Sequence, residues 1–254
     1  MDKIRIHFIR TSRHTKSTEY SHSLINWMAE MGLLDDVVWD YDPGPEGPIV
    51  ENREHFVQVA WGIMERVKEA GNSGKYDAIV IQGFMDPVLL PAREVSPIPV
   101  LGCGQSAMHM ASLICNKFTI IDTLEAMVFH IRENARNYGL EHKLASIRSI
   151  ETPVPKVQFK TNPQEHYEKI YTQAVRAIEI DGADTLIFGC TSLSWMIPEV
   201  RKMLKERKGY NVPIIFPMGA AVMFAKFMVR TGITHSPLIY PSIEPRDMDS
   251  VLPR

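Results

Sequence analysis

The stretch ADTLIFGCTSLSW, residues 183–195, is an apolar run that meets a helix-like segment at Gly189 and Cys190. An earlier stretch, YDAIVIQGF at residues 76–84, has the same form: an aspartate, an apolar run and then Gly83. Short continuous apolar runs that end at glycine are typical of strands buried on both faces of a parallel sheet. The two stretches therefore predict two equivalent buried strands.

The segments around these strands repeat as well. The Pro-initiated strands IPVLGCG (98–104) and VPIIFPMG (212–219) each follow one of them, and segments with helical periodicity lie between the strands. This order predicts an α/β fold with two pseudo-symmetric lobes, each a parallel sheet flanked by helices. We assign residues 1–113 plus 213–254 to the first lobe and 114–212 to the second. Because ligands bind beyond the carboxyl ends of parallel strands, the site is expected in the cleft between the lobes.

The composition narrows the class of protein. The chain has 254 residues, is 45% hydrophobic and carries a formal net charge of −2, so it lacks the basic footprint of a nucleic-acid or membrane-surface binder. Its apolar runs are shorter than a membrane span, and its N-terminus lacks the apolar core of a signal peptide. The expected partner is a small molecule, with neither nucleic acid nor membrane involved. The segment YPSIEPRDMDSVLPR (240–254) is a candidate for contacts in a homo-oligomer.

Three cysteines without C-x-x-C spacing indicate free thiols in a reducing, cytoplasmic compartment. Cys190 stands at the predicted start of a helix, where the positive end of the helix dipole favours a thiolate and backbone N–H groups can hold an anionic oxygen. Thr191 and Ser192 could cap that helix. A buried structural cysteine is an equally weighted alternative for Cys190 taken alone. Cys103 and Cys115 are expected to be packing residues.

Other candidate side chains follow other strands. The first strand ends with Arg10, Thr11 and Ser12. Arg10 could bind a carboxylate through two hydrogen bonds. The alternative is a solvated loop arginine beside hydroxyl groups that cap a helix. Thr123 follows the strand FTIID and could cap a helix or touch a ligand. His235, in the loop GITHSP, is the better candidate for a functional imidazole. The sequence contains no H-E-x-x-H or C-x-x-C pattern, so no metal site is predicted.

Five stretches together carry a resemblance: IRIHFIRTS at the start, YDAIVIQGFMDPVLLPARE, IPVLGCGQSAMHMASLICNKFTIIDT, ADTLIFGCTSLSW and VPIIFPMGAAVMFA. In this order and spacing the chain resembles the aspartate/glutamate/hydantoin racemase superfamily, and its hydantoin racemase branch in particular. The resemblance implies two lobes with the site between them and no cofactor. It also implies two cysteines, one from each lobe, that face opposite sides of an acidic carbon. One removes a proton as thiolate and the other returns one as thiol.

The chain departs from this pattern at one of the two cysteines. Cys190 matches the second-lobe cysteine, but Gly83 stands at the position of the first, while Asp86 and Pro87 keep the register. This one-cysteine pattern is similar to that of the arylmalonate decarboxylases, in which the retained cysteine protonates an enediolate after loss of carbon dioxide.

Further departures lie around the expected pocket. Phe84 and Met85 stand where the decarboxylases carry hydroxyl donors, Gln105 where the racemases often carry glutamate, and Asp122 where they carry threonine. Cys190 is therefore the predicted acid/base. The predicted substrate-binding residues are Arg10, Thr11, Ser12, Gly83, Phe84, Gln105, Thr123, Thr191, Ser192 and His235.

Three functions remain open from the sequence. The first is a cofactor-independent racemase or isomerase that forms an enolate-like intermediate, in which a histidine, Asp86 or Cys103 replaces the missing thiol. The second is a decarboxylase or other lyase that needs one proton donor. The third is a non-catalytic protein that binds a small molecule on the same scaffold, against which the retained Gly-Cys-Thr-Ser argues. For the small-molecule substrate, Arg10 indicates an anionic group.

Overall fold

The computed structural model describes residues 2–13, 17–158 and 160–241. The first sheet consists of β1 (Ile4–Arg10), β2 (Val37–Asp42), β3 (Ala78–Gln82) and β4 (Val100–Gly102), in the order β2-β1-β3-β4. The second consists of β5 (Phe118–Asp122), β6 (Leu144–Ser149), β7 (Thr185–Phe188) and β8 (Ile214–Ile215), in the order β6-β5-β7-β8. All neighbouring strands are parallel. The two sheets thus share one strand order, which confirms the predicted pair of pseudo-symmetric lobes.

Helices connect and cover the strands, as parallel crossovers require. The first half of the chain contributes α1 (Ser17–Glu30), α2 (Arg53–Asn72), α3 (Leu89–Val95) and α4 (Cys103–Ile114). The second half contributes α5 (Val128–Asn137), α6 (Val154–Gln158), α7 (Pro163–Glu179), α8 (Ile197–Lys208) and α9 (Pro217–Thr231). Within the described ranges, no helix has the length and apolar character needed to cross a bilayer.

The lobe boundary differs slightly from the predicted one. β8 pairs with β7, with Leu186 opposite Ile214, so the second sheet continues to residue 215 rather than ending before 213. After β8 the chain crosses back, and α9 packs against β3, β4 and α4 of the first half. The helix α4 also contacts β7 and β8, so it joins the two sheets.

The helix that follows Cys190 also differs from the expectation. A 3₁₀ helix, Thr191–Met196, comes first, and the α-helix α8 begins only at Ile197. Pro198 explains this start, because proline has no N–H to donate and is accommodated in the first turn of an α-helix. The segment after β5 likewise opens as a 3₁₀ turn, Glu125–Met127, before α5.

Strand register aligns the carboxyl ends of the two sheets. In the first sheet Arg10 lies opposite Gln82, and in the second Ile121 lies opposite Phe188, so that Asp122 and Gly189 come next. The shared strand order then equates residues across the lobes: Arg10 with Asp122, Thr11 with Thr123, Gln82 with Gly189 and Gly83 with Cys190. The residues that end these central strands therefore form two comparable walls.

Candidate active site

A cleft between the two walls brings most of the predicted residues together. Its cavity volume is about 80 Å³. Among the residues predicted from the sequence, those that line it are Arg10, Thr11, Ser12, Gly83, Phe84, Thr123, Cys190, Thr191 and Ser192. Side chains that the prediction did not assign also line it, including Gln82, Met85, Asp122, Met127 and Val154.

Cys190 is a free, partly buried cysteine at the end of the β7 segment. Desolvation in the cleft, together with the negative charge of Asp122, raises its pKa to about 12, and hydrogen bonds from the backbone N–H and hydroxyl of Ser192 only partly oppose this. The expectation that a helix dipole favours the thiolate is therefore wrong here. The following element is one short 3₁₀ helix, and burial outweighs it. In the resting site Cys190 is a thiol, ready to donate a proton.

Asp122 is the second titratable group on this wall. Its carboxylate is 2% exposed, and its Oδ1 accepts hydrogen bonds from the backbone N–H and the hydroxyl of Thr123, at 2.6 and 3.2 Å. Burial raises its pKa to about 7, because these two hydrogen bonds only partly offset the loss of solvent. Asp122 thus changes charge close to neutral pH, beside the thiol of Cys190.

The first-lobe wall carries a cation and an amide. Arg10 is 7% exposed, and its Nη1 donates to Ser21 Oγ at 3.3 Å, so the sequence alternative of a solvated loop arginine is wrong. Gln82, the residue opposite Arg10, is 4% exposed, and its Oε1 is buried without a hydrogen-bond partner in the described part of the chain. A buried acceptor of this kind is costly unless a ligand or water donates to it.

Gly83 occupies the place that is equivalent to Cys190. A Cβ atom added at Gly83 would lie 2.5 Å from Thr11 Cγ2 and 3.5 Å from Pro87 Cδ. The methyl group of Thr11 therefore fills part of the space that a side chain at residue 83 would need. The described first-lobe wall consequently presents Arg10, hydroxyls and an amide to the cleft, and no thiol.

Two predicted substrate-binding residues lie elsewhere. His235 Nε2 accepts a hydrogen bond from Val100 N at 2.7 Å, because β4 is an edge strand whose N–H groups need partners. Burial lowers the pKa of His235 to about 4, so this ring is neutral. Gln105 Oε1 accepts from Arg93 Nη2 at 2.6 Å at the beginning of α4. Neither residue lines the cleft, so the structure does not support a substrate-binding role for them.

The residues proposed as substitutes for the missing thiol are also placed outside the cleft. Asp86 accepts from the backbone N–H groups of Gly104 and Gln105 at 2.8 and 2.5 Å and from the hydroxyl of Tyr138 at 2.8 Å. It thus binds the N-terminus of α4 in the way an N-cap carboxylate does. Cys103 is fully buried, its Sγ donates to Ile81 O, and burial raises its pKa. It is a packing residue, as predicted, and Cys115 is likewise part of a buried cluster.

Fold and site together define a class of protein: a two-lobed α/β protein with one partly buried thiol in the cleft between its lobes. A family model described as Asp/Glu/hydantoin racemase matches residues 17–225, and the chain belongs to that family. The predicted superfamily is thereby confirmed.

Individual relatives agree with this assignment. A hydantoin racemase from Pseudomonas sp. (strain NS671) is 29% identical over 171 residues, which are 67% of this chain and 65% of that one. The structure of an allantoin racemase from Klebsiella pneumoniae superposes with a TM-score of 0.79 at 25% identity and covers 96% of both chains. Unliganded arylmalonate decarboxylase shares the fold, with a TM-score of 0.55 at 14% identity and coverage of 89% of this chain and 93% of the other.

Proposed function

We propose that this protein is a cofactor-independent isomerase of the racemase type, which acts on a carbon next to a carbonyl or carboxylate through an enolate-like intermediate. Cys190 is its acid/base. The observation that carries the proposal is the partly buried thiol of Cys190 in the cleft, between a buried carboxyl group and the Arg10 wall. In such a site the thiol exchanges a proton with the substrate carbon while a cation stabilises the negative oxygen that forms.

The chemistry of the first-lobe wall supports a ring or chain amide as substrate. Arg10 offers hydrogen-bond donors, and Gln82 Oε1 next to it needs a donor. A group with a carbonyl oxygen beside an N–H, as in a hydantoin or a ureide, satisfies both side chains at once. A simple carboxylate has no N–H for Gln82. This complementarity agrees with the names of the similar racemases, and we propose hydantoin-like amides as the substrate class.

A second function is favoured by one specific observation, the glycine at residue 83. A thiol on one wall alone returns a proton to the face from which it came, which makes racemisation difficult but suits the protonation of a carbanion after a carbon–carbon bond breaks. Gly83 and the absence of a described first-lobe base in the cleft therefore favour a one-cysteine decarboxylase or other lyase as the alternative.

One panel of reactions separates these functions. Single enantiomers of allantoin and of a 5-substituted hydantoin, together with phenylmalonate, are incubated with the enzyme in deuterated water. A racemase converts either enantiomer to a mixture that carries deuterium at the acidic carbon. A decarboxylase releases carbon dioxide from phenylmalonate and gives one hand of product.

The cysteine variants supply the matched comparison. Cys190→Ala abolishes turnover of the accepted substrate, whereas Cys115→Ser, which changes a cysteine outside the cleft, leaves it unaltered. Turnover that survives in Cys190→Ala contradicts the assigned role.

A further inference from the structure

A carboxyl group, that of Asp122, lines the cleft together with the proposed acid/base, Cys190. Asp122 ends β5 and Gly189 follows β7 on the neighbouring strand, directly before Cys190. A Cβ atom at Gly189 would lie 3.1 Å from the Cβ and 3.3 Å from the Cγ of Asp122. The same atom would lie 2.7 Å from Ile120 Cγ2, so a side chain at residue 189 would press against both Ile120 and Asp122, and glycine avoids this overlap.

Asp122 lies on the same wall of the cleft as the thiol. Both hydrogen bonds from Thr123 reach one oxygen, Oδ1. Titratable groups on other elements include Arg10 on β1, across the cleft, and Arg148 on β6, which pairs with Asp181. The helix α7 carries Lys169, which pairs with Glu165, and His166, which is buried with both ring nitrogens unpartnered among the described residues. The negative charge of Asp122 in turn raises the pKa of Cys190, and Arg10 lowers it by a smaller amount.

We propose that Asp122 and Cys190 share one proton, so that Asp122 is the positioning partner that receives the thiol proton when Cys190 acts as a base and returns it when Cys190 acts as an acid. This inference rests on the proposed function of Cys190. In the first step the S–H bond breaks, an O–H bond forms on Asp122 and the electron pair stays on sulfur. The thiolate then takes the hydrogen of the acidic carbon as a proton, the C–H electron pair forms the carbon–carbon double bond of the enolate, and the π pair of the adjacent carbonyl moves onto its oxygen. In the lyase direction the thiol protonates the carbanion, and Asp122 restores the proton to sulfur.

A shared proton has a signature that requires no substrate. The thiolate is the form that reacts with an alkylating agent, so the rate of Cys190 modification by iodoacetamide follows its population. In a coupled pair that population rises tenfold per pH unit until Asp122 ionises and then stays level, because the proton now only moves between sulfur and oxygen. We expect the logarithm of the rate, measured on the Cys190 peptide by mass spectrometry, to bend near pH 7.

Two variants test the origin of the bend. In Asp122→Asn the rate rises with pH through this range without a bend. In Thr123→Val the backbone N–H still reaches Oδ1 but the hydroxyl is gone, so the carboxylate is less stabilised and the bend moves up by roughly one pH unit. Thr123→Val decides the question if Asp122→Asn does not fold.

The outcomes separate this inference from the proposed function. A wild-type profile without a bend, or a bend that persists in Asp122→Asn or stays in place in Thr123→Val, overturns the shared proton. Loss of turnover in Cys190→Ala together with such a profile leaves the role of Cys190 intact and removes only that of Asp122. A bend near pH 7 that disappears in Asp122→Asn and moves up in Thr123→Val supports the shared proton. If the Cys190→Ala variant of the same protein turns over substrate normally, the proposed function is contradicted.

Discussion

Replacing Asp122 with asparagine is expected to stabilise the protein at pH 8 much more than at pH 5. The pKa of this buried carboxyl group is raised from 3.8 to about 7 by folding, chiefly through burial. A carboxyl group whose pKa is higher in the folded state stabilises the fold while it is protonated. That stabilisation is present below about pH 4 and is lost as the pH rises from 4 to 7.

The size of the effect follows from the two pKa values. A difference of about 3 pH units corresponds to about 4 kcal/mol at 1.36 kcal/mol per unit. Between pH 5 and pH 8 the part that wild type loses is roughly 2–3 kcal/mol. Asparagine keeps an oxygen for the two donors of Thr123 and carries no charge. The free energy of unfolding of the variant relative to wild type should therefore increase by roughly this amount over the interval, as measured by urea titration at both pH values.

Asp181→Asn is a matched control, for which the expected change in the free energy of unfolding at pH 8 has the opposite sign. Burial alone would raise the pKa of Asp181, but hydrogen bonds from Arg148 and Ser146 lower it below its usual value. Asp181→Asn should therefore cost stability at pH 8, where the wild-type carboxylate is fully ionised and paired. A difference between Asp122→Asn and wild type that is the same at pH 5 and pH 8 would refute the reasoning, because it would mean that Asp122 ionises normally in the fold.

Three further substitutions test other parts of the account. Gly83→Cys should lower the free energy of unfolding by about 1–3 kcal/mol through overlap with the Thr11 methyl. Adding Thr11→Ser should recover most of this loss and raise the rate of racemisation above that of wild type. No recovery of stability in thermal melts would mean that the strain lies elsewhere. Gln82→Leu should increase KM for a hydantoin by about tenfold or more, because it removes the acceptor for the substrate N–H. An unchanged KM in steady-state assays would contradict the contact between Gln82 and the substrate. Tyr138→Phe should destabilise the protein by about 1–3 kcal/mol, since it deprives the buried Asp86 of a hydrogen-bond donor. Equal midpoints of urea unfolding for the variant and wild type would disprove this prediction.

The regular parts of the fold could be predicted because their sequence signals are local. The apolar runs of β3 and β7 and the glycines that end them gave both central strands and the cleft at their ends. β6 was missed, because Leu144–Ser149 is a largely half-exposed edge strand that mixes serine and arginine with apolar residues. No continuous apolar run marks such a strand.

The site could be predicted only where a residue follows its strand directly. Arg10, Thr123 and Cys190 follow or end strands and do line the cleft. His235 was misplaced because its contact with β4 is made over 135 residues of sequence, which no local pattern reveals. Asp122 was noted only as a departure from a family pattern. A signal was present, since a carboxylate that ends an otherwise apolar strand is expected to be buried and perturbed.

The central claim is that Cys190 exchanges a proton with the acidic carbon of the substrate. Its most direct test is the rate at which solvent deuterium enters that carbon, followed by NMR with the substrate that the panel identifies. Wild type and Cys115→Ser should incorporate deuterium at equal rates, whereas Cys190→Ser should lose at least about a hundredfold, the scale of a general acid–base contribution. Incorporation by Cys190→Ser at the wild-type rate would contradict the account.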